Sequence, residues 1–169
     1  DIYCLVREIN RAWHAGAAFW RGTTNINAHS IGIELQNPGH EFGYRAFPGS
    51  QMNALKLLCK EILFRHPIPS RNIIGHSDIA PRRKKDPGEL FDWKWLSEQG
   101  IGLWPNALTN QYTKGDVEAL LAALGYEVDN ISATLRAFQR HYLPAFISGR
   151  ANRVTIKTLN SLMDLVGSR

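Results

Sequence analysis

Hydrophobic and polar positions divide this chain into two stretches with different periods. In the first, short apolar runs alternate with a helical stripe. Ile2-Tyr3-Cys4-Leu5-Val6 is a compact β-prone run and predicts a strand. Residues 7–29 keep no clean period and predict a long loop. Ile31-Gly32-Ile33-Glu34-Leu35 alternates strictly, which predicts a strand with Ile31, Ile33 and Leu35 on a buried face and Glu34 on the other. After Ser50, Met52, Leu55, Cys59, Ile62 and Leu63 recur at helical spacing, and Pro67 stops the helix. Asn72-Ile73-Ile74 predicts another short strand, closing at Gly75-His76. Phe91 to Leu96 predicts one helical turn anchored by aromatics. Strands alternating with helices predict α/β layers for residues 1–97.

The pattern then changes. Residues 98–112 hold Gly100, Gly102, Pro105, Asn106 and Asn110 and read as a linker. Residues 113–169 carry only helical periods. Val117, Leu120, Leu121 and Leu124 form a stripe, with Gly125 placed to end the helix. Ser132 is a candidate cap for a second helix bearing Leu135, Phe138 and Tyr142. Thr155 is a candidate cap for a third bearing Ile156, Leu159, Leu162, Met163 and Val166. A three-helix unit of this length is small but able to fold by itself.

Composition narrows the classes. With 44% hydrophobic and 21% charged residues in 169, the chain reads as an ordinary globular protein. No apolar run approaches the roughly 18 residues of a membrane helix, and no signal peptide is visible in the sequence, which opens with Asp1 and not Met. The net charge of +5 favours polyanionic partners, nucleic acid and cell-wall glycopeptide among them. The run Arg82-Arg83-Lys84-Lys85 is the support for nucleic acid, but no aromatic-interleaved basic motif accompanies it, so no nucleic-acid partner is expected. Cys4 and Cys59 make no disulfide framework and are expected as buried free thiols.

Four polar residues suggest chemistry. His76 ends a predicted strand, and Asp86 lies ten residues on, ahead of Pro87-Gly88. Imidazole and carboxylate are both zinc ligands, and a catalytic zinc takes three protein ligands and keeps one open position. Glu34 is a candidate proton acceptor and Lys84 a candidate oxyanion stabiliser. Spacing alone equally allows His76 as a hydrogen-bonded turn residue, Glu34 as a solvated face and Lys84 as surface charge.

The literal strings favour the first reading. Gly75-His76-Ser77-Asp78-Ile79-Ala80-Pro81 with Arg83-Lys84-Lys85-Asp86-Pro87-Gly88, together with Trp13-His14-Ala15-Gly16 and Ser30-Ile31-Gly32-Ile33-Glu34-Leu35, resembles three blocks of one family in order. That family is the zinc-dependent N-acetylmuramoyl-L-alanine amidases of the AmpD and AmiD type. The resemblance implies an α/β fold with a mixed central sheet flanked by helices, as in peptidoglycan recognition proteins. It implies one catalytic Zn2+, His76 and Asp86 as metal ligands, Glu34 as base and Lys84 as transition-state stabiliser. Trp13, His14, Arg21, Asn27 and Ser77 fall in or beside the blocks and are candidate substrate contacts. Arg21 is suited to a peptide carboxylate by its planar fork.

Residues Leu124-Gly125-Tyr126, Ala137 to Tyr142, Gly149, Thr155 and Leu159 resemble the helical peptidoglycan-binding domain found behind AmiD-like amidases. The implied organisation is a catalytic domain over 1–97, a linker over 98–112 and a wall-binding domain over 113–169. The implied substrate is peptidoglycan or muropeptides, cleaved between the lactyl group of N-acetylmuramic acid and L-alanine. The implied setting is the bacterial cell envelope, in the periplasm or at the outer membrane, with the cytoplasm left open. A monomer is expected, and a lipid anchor upstream is compatible with it.

One departure stands against this. The family's first zinc His lies on a strand just before the stretch matching Ile2 to Val6, and neither has a counterpart here. His14, His29 and His40 do not stand at that position. A fragment accounts for this, because a sheet beginning mid-hairpin leaves strand edges unpaired. The alternatives are a non-catalytic peptidoglycan binder and an inactive fragment of the amidase.

Overall fold

The computed structural model describes residues 1–105 and 116–167. Residues 106–112 of the expected linker and 113–115 at the start of the expected helical domain lie outside the described residues. Six α-helices stand among those described: α1 (Gly49–Arg65), α2 (His76–Ile79), α3 (Trp93–Glu98), α4 (Val117–Leu124), α5 (Ile131–Tyr142) and α6 (Arg153–Gly167). Two 3-10 turns, Ile26–Ala28 and Ser70–Asn72, precede Ser30 and α2.

Among the described residues the expected central sheet is not formed. Among the described residues the β pairing consists of one isolated bridge, Trp20 with Thr23. Alternation gives a segment two faces but supplies no partner for its backbone, and a strand exists only as a ladder. None of the three predicted strands finds a ladder partner among the described residues. Ile2, Tyr3, Leu5 and Val6 are 58%, 75%, 81% and 45% exposed, and Ile33 on the expected buried face is 37% exposed. Asn72 ends a 3-10 turn instead of opening a strand. Cys59 is buried as expected, but Cys4 shares the exposure of its segment.

The helical periods translate directly. α1 buries Met52, Leu55, Cys59 and Ile62 against Phe91, Trp93, Leu96 and Ile101. Burial raises the Cys59 thiol to about 11, so it stays protonated and unreactive. α3 begins two residues later than expected, because the Asp92 carboxylate caps it by accepting from the Trp95 N–H at 2.9 Å. α5 is likewise capped by Asn130, whose side chain accepts from Ala133, and not by Ser132. At the start of α6, Asn152 accepts from the Thr155 N–H at 2.8 Å.

A second core joins the two stretches. Leu121, Leu124, Tyr126, Leu135, Phe138, Leu159 and Leu162 pack in one cluster with Ala15, Trp20, Ile26, Ile79 and Ala80. α4 packs on α6, and α5 packs on α2. Gly125, at φ 124°, ends α4 beneath Trp20 and Arg21: a Cβ there would lie 2.5 Å from Arg21 Cγ, so glycine alone permits the approach.

Candidate active site

Gly75 sits under Pro87, where a Cβ would come within 2.7 Å of the ring. That close approach brings two distant sequence blocks together, and His76 follows at once as the first residue of α2. Asp78 closes the turn: its Oδ2 accepts from the Gly75 N–H at 2.8 Å, and its own N–H donates to Gly75 O at 3.1 Å. The Ser77 N–H donates to Asp86 O at 2.9 Å, which ties α2 to the loop returning from Lys84.

The result is a direct pairing of the two predicted ligands. His76 Nδ1 lies 2.9 Å from Asp86 Oδ2, and Nε2 lies 3.0 Å from Ala15 O. Both partners are acceptors, so the ring satisfies both only with a proton on each nitrogen, or with a cation replacing one of those protons. The His76 side chain is 17% exposed and the Asp86 side chain 56%. Burial by itself would raise the Asp86 carboxyl, but the hydrogen bond and charge of His76, with Lys84 behind them, hold it below the ordinary carboxylate range. Lys84 is half-buried, and its N–H is bonded to Ala80 O at 2.9 Å.

The loop carrying Trp13 and His14 is held from two sides. The buried Asn27 side chain accepts from the N–H groups of His14 and Ala15 at 3.0 and 2.8 Å. Arg83 donates to Ala15 O at 2.7 Å and Ala17 O at 3.0 Å. Gly16 stands between those carbonyls at φ 61°. The His14 ring lies against Gly32, where a Cβ would meet it at 2.6 Å, and its Nε2 is 3.3 Å from Ser30 Oγ. Trp13 is 79% exposed, with the Arg11 guanidinium 4.0 Å above its ring. Glu34 is exposed and two residues beyond Gly32, and no hydrogen bond or ion pair joins it to His76, Lys84 or Asp86.

The loop after Asp86 is fastened as well. Tyr44 donates its hydroxyl to Pro87 O at 2.8 Å and accepts from Leu90 N–H at 2.9 Å. Glu89 meets His40 at 3.1 Å and Arg140 of α5 at 3.5 Å. The basic run is partly spent inside the protein, since Arg82 faces Glu127 at 3.6 Å and Arg83 holds the Ala15 loop.

Of the predicted residues, then, His76 and Asp86 meet directly, with Lys84 acting on the same carboxylate. Ser77 is buried beside them and Asn27 is buried under His14. Arg21 stands apart, in the left-handed region at φ 49°, with its N–H on Gly125 O at 2.8 Å. It lines an open cavity of about 490 Å³ with Phe19, Tyr126, Glu127 and Asp129. None of His76, Asp86, Lys84 or Glu34 borders that cavity, so it is not where the paired ligands act. Arg83, Ala15 and Tyr44 were not singled out from the sequence. Arg83 and Ala15 lay inside the recognised strings but carried no sign of an interaction 68 residues apart.

Imidazole and carboxylate facing each other fit two of the three positions that a catalytic zinc takes from protein. Among the described residues no group of three or more His, Cys, Asp or Glu is placed to hold a metal ion.

Residues 1–89 match the family Amidase_2, described as N-acetylmuramoyl-L-alanine amidase. The chain is 38% identical to the N-acetylmuramoyl-L-alanine amidase AmiD of Escherichia coli, over 98% of this chain and 68% of that protein. It is 40% identical to the 1,6-anhydro-N-acetylmuramyl-L-alanine amidase AmpD of Citrobacter freundii, over 55% of this chain and 53% of that one. Among solved structures it is similar to E. coli AmiD in complex with anhydro-N-acetylmuramic acid-L-Ala-D-gamma-Glu-L-Lys. That match has a TM-score of 0.89 and covers 100% of this chain and 74% of the other. It is also similar to AmpDh3 of Pseudomonas aeruginosa in complex with an anhydromuramic pentapeptide, with TM-score 0.85 at 35% identity, covering 97% of this chain and 73% of that one.

Proposed function

This chain belongs to the Amidase_2 family of N-acetylmuramoyl-L-alanine amidases, and from that premise we propose how its residues divide the reaction. The chain is a peptidoglycan hydrolase that cleaves the amide between the lactyl group of N-acetylmuramic acid and the L-alanine of the stem peptide. The observation supporting the site is the 2.9 Å apposition of His76 and Asp86 within the family-matched segment.

His76 and Asp86 would hold the zinc, filling two of the three positions that a catalytic zinc takes from protein. When bound, zinc would supply Lewis-acid polarisation of water and of the scissile carbonyl. Glu34 accepts the proton of the attacking water and passes it to the leaving amine. Lys84 lies where its charge already acts on Asp86, and it stabilises negative charge developing on the carbonyl oxygen. Trp13, exposed in the loop whose Ala15 carbonyl meets His76, offers an apolar face to the glycan or peptide. His14, in the same loop and against Gly32, is a second contact, and Arg21, apart from the His76–Asp86 pair, receives a carboxylate at the far end of the stem. Asn27 and Ser77 serve the substrate by fixing the backbone of the Trp13 loop and of α2. Residues 113–169 act as the wall-binding unit. The protein works as a monomer in the cell envelope, in the periplasm or at the outer membrane. No helix among the described residues is long and apolar enough to cross a membrane.

The test is muropeptide hydrolysis with zinc per chain measured on the same samples. Glu34→Gln should leave zinc content unchanged and lower kcat by roughly 10²- to 10⁴-fold, as loss of a general base does. Retained turnover in that variant would remove Glu34 from the mechanism. Hydrolysis surviving a chelator that strips the protein of metal would remove the zinc. One observation favours a second reading, that of a non-catalytic wall binder: two metal donors, and not three, converge among the described residues. Muropeptide binding with no product released at any zinc concentration would establish it.

A further inference from the structure

Asp78 is 1% exposed, and a buried carboxylate persists only where hydrogen bonds replace the water it has lost. One of its partners is local, the Gly75 N–H at 2.8 Å. The other two come from the helical stretch. Tyr126, just after α4, donates its hydroxyl to Oδ1 at 2.8 Å, and His141 of α5 reaches Oδ2 from Nδ1 at 2.7 Å. The carboxylate is thus completed by residues 48 and 63 positions away.

His141 is itself tightly constrained. Its ring is stacked on Trp93 at 4.0 Å and on Tyr142 at 3.9 Å. Its Nε2 is buried with no hydrogen-bond partner, so Asp78 is the ring's polar contact. Tyr126 is fully buried, and burial together with the Asp78 charge keeps its hydroxyl protonated and donating. Asp78 lies two residues past His76 in the single turn of α2. The same α5 reaches the other predicted ligand's loop, where Arg140 meets Glu89 at 3.5 Å, three residues past Asp86.

We propose that Tyr126 and His141 are positioning residues of the amidase site, and that the helical stretch fixes the separation of His76 and Asp86 as well as attaching the enzyme to its wall. This rests on the reading of His76 and Asp86 as the site. The mechanism is mechanical: α2 is too short to hold itself, and its acceptor Asp78 is anchored from α4 and α5. Loss of either donor frees the Gly75–Ile79 turn and moves the His76 ring away from Asp86.

The experiment uses the full chain with Tyr126→Phe, His141→Leu and His141→Asn. The first removes one hydroxyl and keeps the ring packed on Trp20 and Phe138. The last retains a donor for Asp78. Two readouts are taken, amide hydrogen exchange residue by residue and kcat with KM. Tyr126→Phe and His141→Leu should speed exchange at Gly75 and Ser77 by roughly 10- to 100-fold, the amount expected for a lost hydrogen bond to a charged group. α6 should keep its protection. kcat should fall by about ten- to hundredfold with KM little changed, the cost of a small misplacement of reacting groups. His141→Asn should recover most of both.

Exchange that rises equally in α6 would overturn the proposal, because the residues would then serve only global stability. Unchanged exchange at Gly75 and Ser77 would overturn it too. Should the unmodified chain prove inactive, the amidase reading fails by itself, and the exchange data still decide whether α2 is held from the helical stretch.

Discussion

At the scale of single residues, charge pairing decides which side chains are fixed. Glu8 shows the effect on the surface. Hydrogen bonds from Arg65, at 2.6 Å, and from His66, at 2.8 Å, hold its carboxyl down at about 2, from an ordinary 4.5. A depressed carboxylate stabilises the fold fully above its unfolded pKa, and that contribution disappears as pH falls through the folded value. Glu8→Gln should therefore lower the Tm slightly above about pH 4.5, with the two proteins converging as the pH approaches 2. The pair lies at the surface, so the difference should be small and should fade in about 1 M salt. Thermal unfolding followed across pH checks both points. A gap that widens toward low pH would show that Glu8 is not paired in the folded state.

At the scale of elements, buried polar side chains decide how helices meet. Gln139 of α5 is completely buried, yet its carboxamide is fully used. Its Oε1 accepts from the N–H groups of Ser148 and Gly149, both at 2.9 Å, and its Nε2 donates to Arg150 O at 2.9 Å. This one side chain turns the chain from α5 into α6, because the loop would otherwise bury unsatisfied backbone amides. Gln139→Ala should cost about 2–4 kcal/mol, from the cavity and the orphaned amides together. Urea unfolding measures it, and a loss below roughly 1 kcal/mol would mean that water takes over the amides.

At the scale of the whole molecule, the core does not respect the boundary drawn from composition. Ala15, Trp20, Ile26, Ile79 and Ala80 pack in the same cluster as Leu121, Leu124 and Phe138. A polypeptide ending at residue 105 would uncover that face and leave Asp78 buried without Tyr126 and His141. It should lose cooperative unfolding and populate a partly folded state, seen as a broad thermal transition with weak near-ultraviolet circular dichroism. A sharp transition near that of the full chain would show that residues 1–105 fold independently of the helices.

What could be read from the sequence was what neighbouring residues determine among themselves. The stripe Met52, Leu55, Cys59, Ile62 marks α1 because a helix closes its own hydrogen bonds within four residues. The three later helices were legible for the same reason, and only their caps moved, from Ser132 to Asn130 and from Thr155 to Asn152. The strings around His76 and Asp86 identified the family, and ten residues of chain suffice to bring those two side chains together. Strands needed more. The alternation at Ile31 to Leu35 described two faces, but pairing is a property of two segments, and among the described residues no second segment pairs with it. Only the tertiary structure could show that Asp78 answers to Tyr126 and His141, or that His76 shares the Ala15 carbonyl with Arg83. Those contacts span 48 to 68 residues and leave no period in the chain, because they are set by the packing of distant segments and not by any local preference of the residues that make them.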